Sequence, residues 1–178
     1  FDEGNISKYK SLRSHFWQKT DNNRTGITPF FFNNDFNFEV YTEYALNIPM
    51  YFIKRNDQYI DMTDLSFNDF LSGKRNKSSQ IFEPNNKDWE DHLSTLFPQV
   101  RLKKYLEVRS IDACSWDVIC SPAAFWTGIL YDETSLNKSY ELMNDWTNEE
   151  RLYLNLNVPK FGLNTKFRNK TVLDISIK

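Results

Sequence analysis

The stretch Val100-Arg101-Leu102-Lys103-Lys104-Tyr105-Leu106-Glu107-Val108-Arg109-Ser110-Ile111-Asp112 sets the tightest limit on what this chain can fold into. Read as a β-strand, its side chains alternate between two faces. Arg101, Lys103, Tyr105, Glu107 and Arg109 then share one face, and Leu102, Leu106 and Val108 turn toward a core. One row therefore carries three cations, one carboxylate and one phenol. Such a row can meet a polyanion together with a divalent cation, because cations bind phosphates and carboxylates and a carboxylate binds the metal. It can equally be the solvent face of an antiparallel sheet laced with cross-strand ion pairs. Alternation alone favours the solvent face, because charged rows on half-buried sheets are ordinary.

The chain has 178 residues, which suits one domain with a real core. Aromatic residues make up 16 % of it and favour a sheet with large side chains packed on it. The net charge is −2 and no long basic run occurs, so nucleic acid is not an expected partner. No run of 18 apolar residues occurs, so no membrane partner is expected either. Cys114 and Cys120 lack zinc or redox spacing. So few cysteines suit a reducing compartment, and the expected location is cytoplasmic. Phe1-Asp2-Glu3-Gly4 shows neither an initiator Met nor a signal region, and reads as a cut in a longer polypeptide.

Along the chain, Arg13, His15 and Trp17 alternate with Leu12 and Phe16, which predicts a short strand. Phe30-Phe31-Phe32 is an apolar run stopped by Asn33-Asn34-Asp35. A helix is expected from about Asn37 to Asn47, ended by Pro49. Met50–Ile53 and Gln58–Asp61 predict a hairpin around Asn56-Asp57. Ser66 can cap a short helix that Gly73 closes, and Lys74 to Pro84 reads as a loop. Asn86 can cap a helix with Trp89, Leu93 and Leu96 on one stripe. Trp116 to Asp132 is apolar nearly all round and predicts a buried helix with Pro122 marking a join; Cys120 would pack inertly there. An amphipathic helix follows over Glu133 to Asp145, and Thr147 with Glu150 forms a capping box for another through about Leu156. Pro159 to Phe167 reads as a loop and Val172 to Lys178 as a fragment. The fold class is α+β, an antiparallel sheet with helices on one side.

His15 and His92 are the only histidines. His92 reads as a solvated helix residue beside Asp88, Asp91 and Thr95, and His15 as structural. No glycine-rich nucleotide loop of the GxGxxG or Walker type occurs. Arg13 and Arg24 can each pair with a surface carboxylate or hold a substrate carboxylate through the planar fork.

Several blocks together resemble the plant and proteobacterial type of glutamate–cysteine ligase. They are Arg13-Ser14-His15-Phe16-Trp17, Arg24-Thr25-Gly26, Pro29-Phe30, Ile48-Pro49-Met50-Tyr51-Phe52, Phe70-Leu71-Ser72-Gly73, Leu96-Phe97-Pro98, Val100 to Arg109, Ala124-Phe125-Trp126 and Asp145-Trp146-Thr147. The resemblance runs nearly end to end. It implies a glutamine-synthetase-like antiparallel sheet with flanking helices, residues 1–178 being the C-terminal-side portion of one incomplete catalytic domain. It implies ATP-dependent joining of the glutamate γ-carboxylate to the cysteine amine with Mg²⁺, the remainder of the ligase completing the site. Glu107-Val108-Arg109 looks like the Glu-x-Arg pattern of the wider superfamily, with Glu107 as metal ligand and Arg109 facing the transferred phosphate. Lys103 joins Arg109 at the nucleotide. Arg13 and Trp17 look like the residues near glutamate, and Tyr51 like the pocket tyrosine for cysteine. After Arg109 the sequence departs from the plant pattern, with Ser110-Ile111-Asp112 in place of a Gly-rich turn. The rival readings are a truncated, inactive fragment and another carboxylate–amine ligase of the same superfamily.

Overall fold

The structure is a computed structural model that describes residues 4–33 and 35–177. Phe1-Asp2-Glu3, read as a cut end, Asn34, read as part of a stop, and Lys178, the end of the expected fragment, lie outside the described residues. In chain order the regular elements are α1 (Leu12–Trp17), β1 (Thr25–Gly26), α2 (Phe38–Asn47), β2 (Phe52–Arg55), β3 (Gln58–Asp61), α3 (Phe67–Leu71), α4 (Asn86–Ser94), β4 (Phe97–Pro98), β5 (Val100–Leu102), β6 (Leu106–Val108), α5 (Ser121–Tyr131), α6 (Glu133–Met143), α7 (Asn148–Phe161), β7 (Lys166–Phe167), β8 (Lys170–Thr171) and α8 (Val172–Ser176). Helices and strands mix as an α+β chain requires. The expected single antiparallel sheet is corrected: the strands pair two by two, as β1–β4, β2–β3, β5–β6 and β7–β8, and β1–β4 is parallel. Three of these pairs are joined by local turns of two or three residues, so each closes on itself. A wider sheet needs further strands on the outer edges, and among the described residues none takes them.

The residues group into two compact units, one of residues 21–107 and one whose described part is 4–20 and 108–177. The first has its core in Met50, Ile53, Met62, Leu65, Phe67 and Phe70, with Trp89 packed against it. Ala45, Ile48 and Leu96 form a second cluster. Asn37 caps α2 through Val40 N–H, and Pro49 follows its end, as the sequence predicts. The hairpin turns at Asn56 and Asp57, both with positive φ, a conformation their short polar side chains tolerate. Ser66 and Asp69 cap α3 reciprocally.

Two expectations in this unit are corrected. The cap of α4 is Asn85 rather than Asn86, because Asn85 finds its reciprocal partner three residues on, in Asp88. His92 is buried and not solvated. It flanks the Trp89 stripe and sits against the Phe67 ring, with Nε2 2.7 Å from the Ala45 carbonyl. A carbonyl only accepts, so Nε2 carries a proton; Nδ1 is buried with no hydrogen-bond partner. Asp88, one turn earlier, is buried too and takes the Arg55 fork at 2.6 and 2.7 Å.

In the other unit, residues 11–17 form α1, not a strand. Ser11 Oγ accepts the Ser14 N–H at 3.1 Å and starts a helix. The apolar pair Leu12 and Phe16 fits a four-residue spacing as well as alternation. α7 begins at the predicted capping box but runs to Phe161, through Pro159, where a loop was expected. Proline cannot donate to the carbonyl four residues back. That carbonyl, on Asn155, accepts the Gln18 side-chain amide instead, and Ser11 N–H bonds to Pro159 O at 2.9 Å. The helix keeps its course past the proline with Gln18, the residue after α1, supplying the missing donor. The expected terminal fragment contains α8, capped by Thr171 and Asp174.

The apolar helix is shorter and less buried than expected. α5 starts at Ser121, with Pro122 in its first turn, after a separate 3₁₀ turn at Trp116–Val118. It packs on α6, yet Phe125 and Tyr131 stay 59 % and 87 % exposed. Cys114 and Cys120 are free and exposed, so Cys120 does not pack in a core. α6 covers one side of α5, and a helix apolar all round needs cover on every side to be buried.

Burial, opposed by the hydrogen bond to Ala45 and aided by the nearby Arg24 charge, holds His92 below the ordinary histidine range. The unfolded chain therefore binds the proton more readily. The stability is present above the unfolded value of about 6.5 and is lost as pH falls toward the folded one. Thermal denaturation should show the melting temperature dropping below about pH 6.5. His92→Gln, whose amide can still donate to Ala45, should flatten that part of the profile; an unchanged slope would exclude His92 as its source.

Candidate active site

In the unit of residues 4–20 and 108–177, three predicted site residues come together. The helical turn of α1 puts Arg13 and Trp17 on one face, four residues apart. The Arg13 guanidinium lies 5.5 Å from the centre of the Trp17 ring, and the Arg109 guanidinium lies 5.7 Å from the same centre. Arg13 Nη2 also donates to the Arg109 carbonyl. An indole face attracts cations through its quadrupole without cancelling their charge. Two guanidinium groups on one indole repel each other, and an anion between or beside them relieves that repulsion. Oxygen anions such as carboxylate and phosphate match such planar forks. Neighbouring His15 stacks on Tyr9, ring centres 3.6 Å apart, which is a packing role.

In the unit of residues 21–107, the opening stretch is not one strand. The chain reverses at residues 103–105, where Lys103 N–H bonds to Tyr105 O at 2.9 Å, and β5 pairs with β6. A three-residue link is too short for a parallel crossover, so the pair is a hairpin. The five-residue polar face is therefore corrected. Arg101 turns inward and is 8 % exposed, whereas Leu106, expected in the core, is 58 % exposed. Across the pair, Arg101 Nε and Nη2 meet Glu107 Oε2 at 2.8 and 2.6 Å, and Lys103 Nζ lies 3.6 Å from the same oxygen. Lys103 also stands over the Tyr105 ring.

Tyr51 carries the Arg24 guanidinium on its ring, 3.7 Å from the centre. Arg24 is 1 % exposed, and its nitrogens donate to Asp21 Oδ2 at 2.8 Å, Thr95 Oγ1 at 3.0 Å and the Pro49 carbonyl. Burial alone would raise the Asp21 pKa, but the hydrogen bonds from Arg24 and Asn23 and the Arg24 charge together outweigh it and hold that carboxyl below its usual range. Of the two uses the sequence left open for Arg24, the structure shows the pairing with a carboxylate, in a buried setting. A cavity of about 510 Å³ lies in this unit, lined by Phe31, Phe36, Tyr41, Val100, Leu102 and Leu106 among others. It has no charged side chain in its lining and is not where charged substrates would react.

Glu107 is a hard oxygen donor of the kind Mg²⁺ takes. Among the described residues, no group of three or more His, Cys, Asp or Glu side chains comes together to hold a metal ion. Glu107 can thus supply one ligand and not a complete set. Sequence reasoning missed the inward turn of Arg101, since strict alternation put it on the outer row. The signal was the Lys103-Lys104-Tyr105 segment, which breaks the apolar alternation at Lys104.

The sequence model of Glutamate-cysteine ligase family 2 matches residues 1–175. The chain is 51 % identical to glutamate–cysteine ligase A, chloroplastic, of Oryza sativa subsp. indica, over 99 % of this chain and 36 % of that protein. It is 49 % identical to the chloroplastic glutamate–cysteine ligase of Solanum lycopersicum, over 99 % of this chain and 34 % of that protein. For the Arabidopsis thaliana enzyme the identity is 47 %, over 95 % of this chain and 32 % of that protein. The chain belongs to glutamate–cysteine ligase family 2. It spans about a third of the length of the curated relatives it matches. The expected cytoplasmic location is overturned by these relatives, which are named chloroplastic. A low cysteine count reports reducing conditions and does not distinguish between reducing compartments.

Arg24→Lys keeps the charge but loses the fork and leaves buried acceptors unpaired. It should cost about 2–3 kcal/mol of stability. The check is a lower urea midpoint at unchanged slope; a midpoint within error of wild type would contradict the tie.

Proposed function

We propose that this chain is part of a ligase that joins the γ-carboxylate of glutamate to the amine of cysteine, using ATP. The observation that carries the reading is the identity of about half the residues to named glutamate–cysteine ligases over nearly the whole chain. In this reading the fold is a glutamine-synthetase-like domain completed by further polypeptide. A γ-carboxylate oxygen attacks the terminal phosphorus of ATP and ADP leaves. The cysteine amine then attacks the acyl-phosphate carbon, the C–N bond forms, the C–O bond to phosphate breaks, and the amine proton is released.

Each step gathers negative charge, so the protein's part is to place cations and dipoles against it. Arg109 faces the transferred phosphoryl group, and Lys103 adds charge toward the nucleotide. Arg13 holds a glutamate carboxylate, with Trp17 fixing the guanidinium plane. Tyr51 borders the cysteine pocket, its ring oriented by Arg24. Mg²⁺, when bound, neutralises phosphate charge, and Glu107 is one of its ligands beside others from outside the described residues. The short span relative to the relatives favours a second reading, that the 178 residues alone are inactive.

The whole gene product should release phosphate from ATP with glutamate and cysteine faster than with other amines. Glu107→Gln should lower kcat about 100-fold, and Arg109→Lys should lower it about tenfold or more with little change in KM for glutamate. Turnover near normal in both variants would overturn the assignment, and activity with a different amine only would replace cysteine. The isolated 178 residues should show no turnover.

A further inference from the structure

We propose that Arg101 is a positioning residue that fixes the orientation of the Glu107 carboxylate; this rests on the reading that Glu107 acts in the ligase site. Arg101 is 8 % exposed. Its Nη1 donates to the Ser94 carbonyl at 3.0 Å and to the Leu96 carbonyl at 3.5 Å, where α4 ends. Carbonyls at a helix C-terminus carry partial negative charge and favour a cation there. The other edge of the guanidinium, Nε and Nη2, grips Glu107 Oε2. The Phe97 ring lies 5.5 Å from the guanidinium carbon.

The guanidinium is thus anchored to main chain on one side and to the carboxylate on the other. Glu107 is 29 % exposed, so its head reaches the surface while its rotamer is held from beneath. A free glutamate side chain would lose rotamer entropy on binding any partner, and a carboxylate already held does not. Lys103 cannot do this work: it is a point charge on a flexible stem, 3.6 Å away and 39 % exposed. Sites that must hold a reacting geometry are commonly supported by a second layer of this kind.

The test is a double-mutant cycle in the whole gene product with Arg101→Met, Arg101→Lys, Glu107→Gln and the Met/Gln double variant, each checked for a cooperative melt. Arg101→Met should lower kcat about tenfold or more while KM for glutamate moves less than about twofold. Arg101→Lys should recover only part of the loss. In the Glu107→Gln background, Arg101→Met should cost less than about twofold more, because the group it positions is gone. The same loss in both backgrounds would overturn the proposal, as would full activity of Arg101→Lys. Near-normal turnover of Glu107→Gln alone is a different result: it would remove the assigned role of Glu107, and this proposal with it.

Discussion

The Arg24 guanidinium is the point on which the unit of residues 21–107 depends. Burying a cation costs several kcal/mol unless its donors find acceptors. Arg24 finds them on three separate segments, at Asp21, Pro49 and Thr95, with the Tyr51 ring across its face. Its own carbonyl accepts the Phe97 N–H at 2.7 Å, beside the parallel β1–β4 pair. The elements it joins are short, and a two-residue strand pair has little stability of its own. One buried arginine therefore does for these segments what a wide sheet does elsewhere.

Other arginines of this unit follow the same rule. Arg55 gives its fork to buried Asp88, which is also the reciprocal partner of the Asn85 cap of α4. Arg101 joins the end of α4 to Glu107. In each case a planar guanidinium bridges a carboxylate and main-chain carbonyls, which a lysine cannot do. Arg13 and Arg109 differ, because the group they share is an indole ring with no net charge.

Much of the local chemistry was legible where it decided the outcome within a few residues. Asn37, Ser66 and Thr147 are caps, Asn56-Asp57 is a turn, and Pro49 follows a helix end, as their side chains require. One error was local, at the cap of residues 11–17, and others arose where a distant group had the deciding part. Residues 11–17 alternate well enough for a strand, but Ser11 capping made a helix. Pro159 should have ended α7, but Gln18, far away in sequence, took the orphaned carbonyl. α5 has the composition of a buried helix, and composition states a need for cover without supplying it.

The sequence by itself determined the α+β class, the family and the residue types for handling anions. These follow from side-chain chemistry and from the order of blocks along the chain, neither of which needs coordinates. Only the tertiary structure decided which cation meets which anion. Turning the chain at residues 103–105 moved Arg101 from an outer row to the inside, against Glu107. Coiling residues 12–17 put Arg13 and Trp17 on one face, where Arg109 joins them. Both outcomes depend on how the backbone turns, and a shift from alternation to a turn or a helix changes every partner at once.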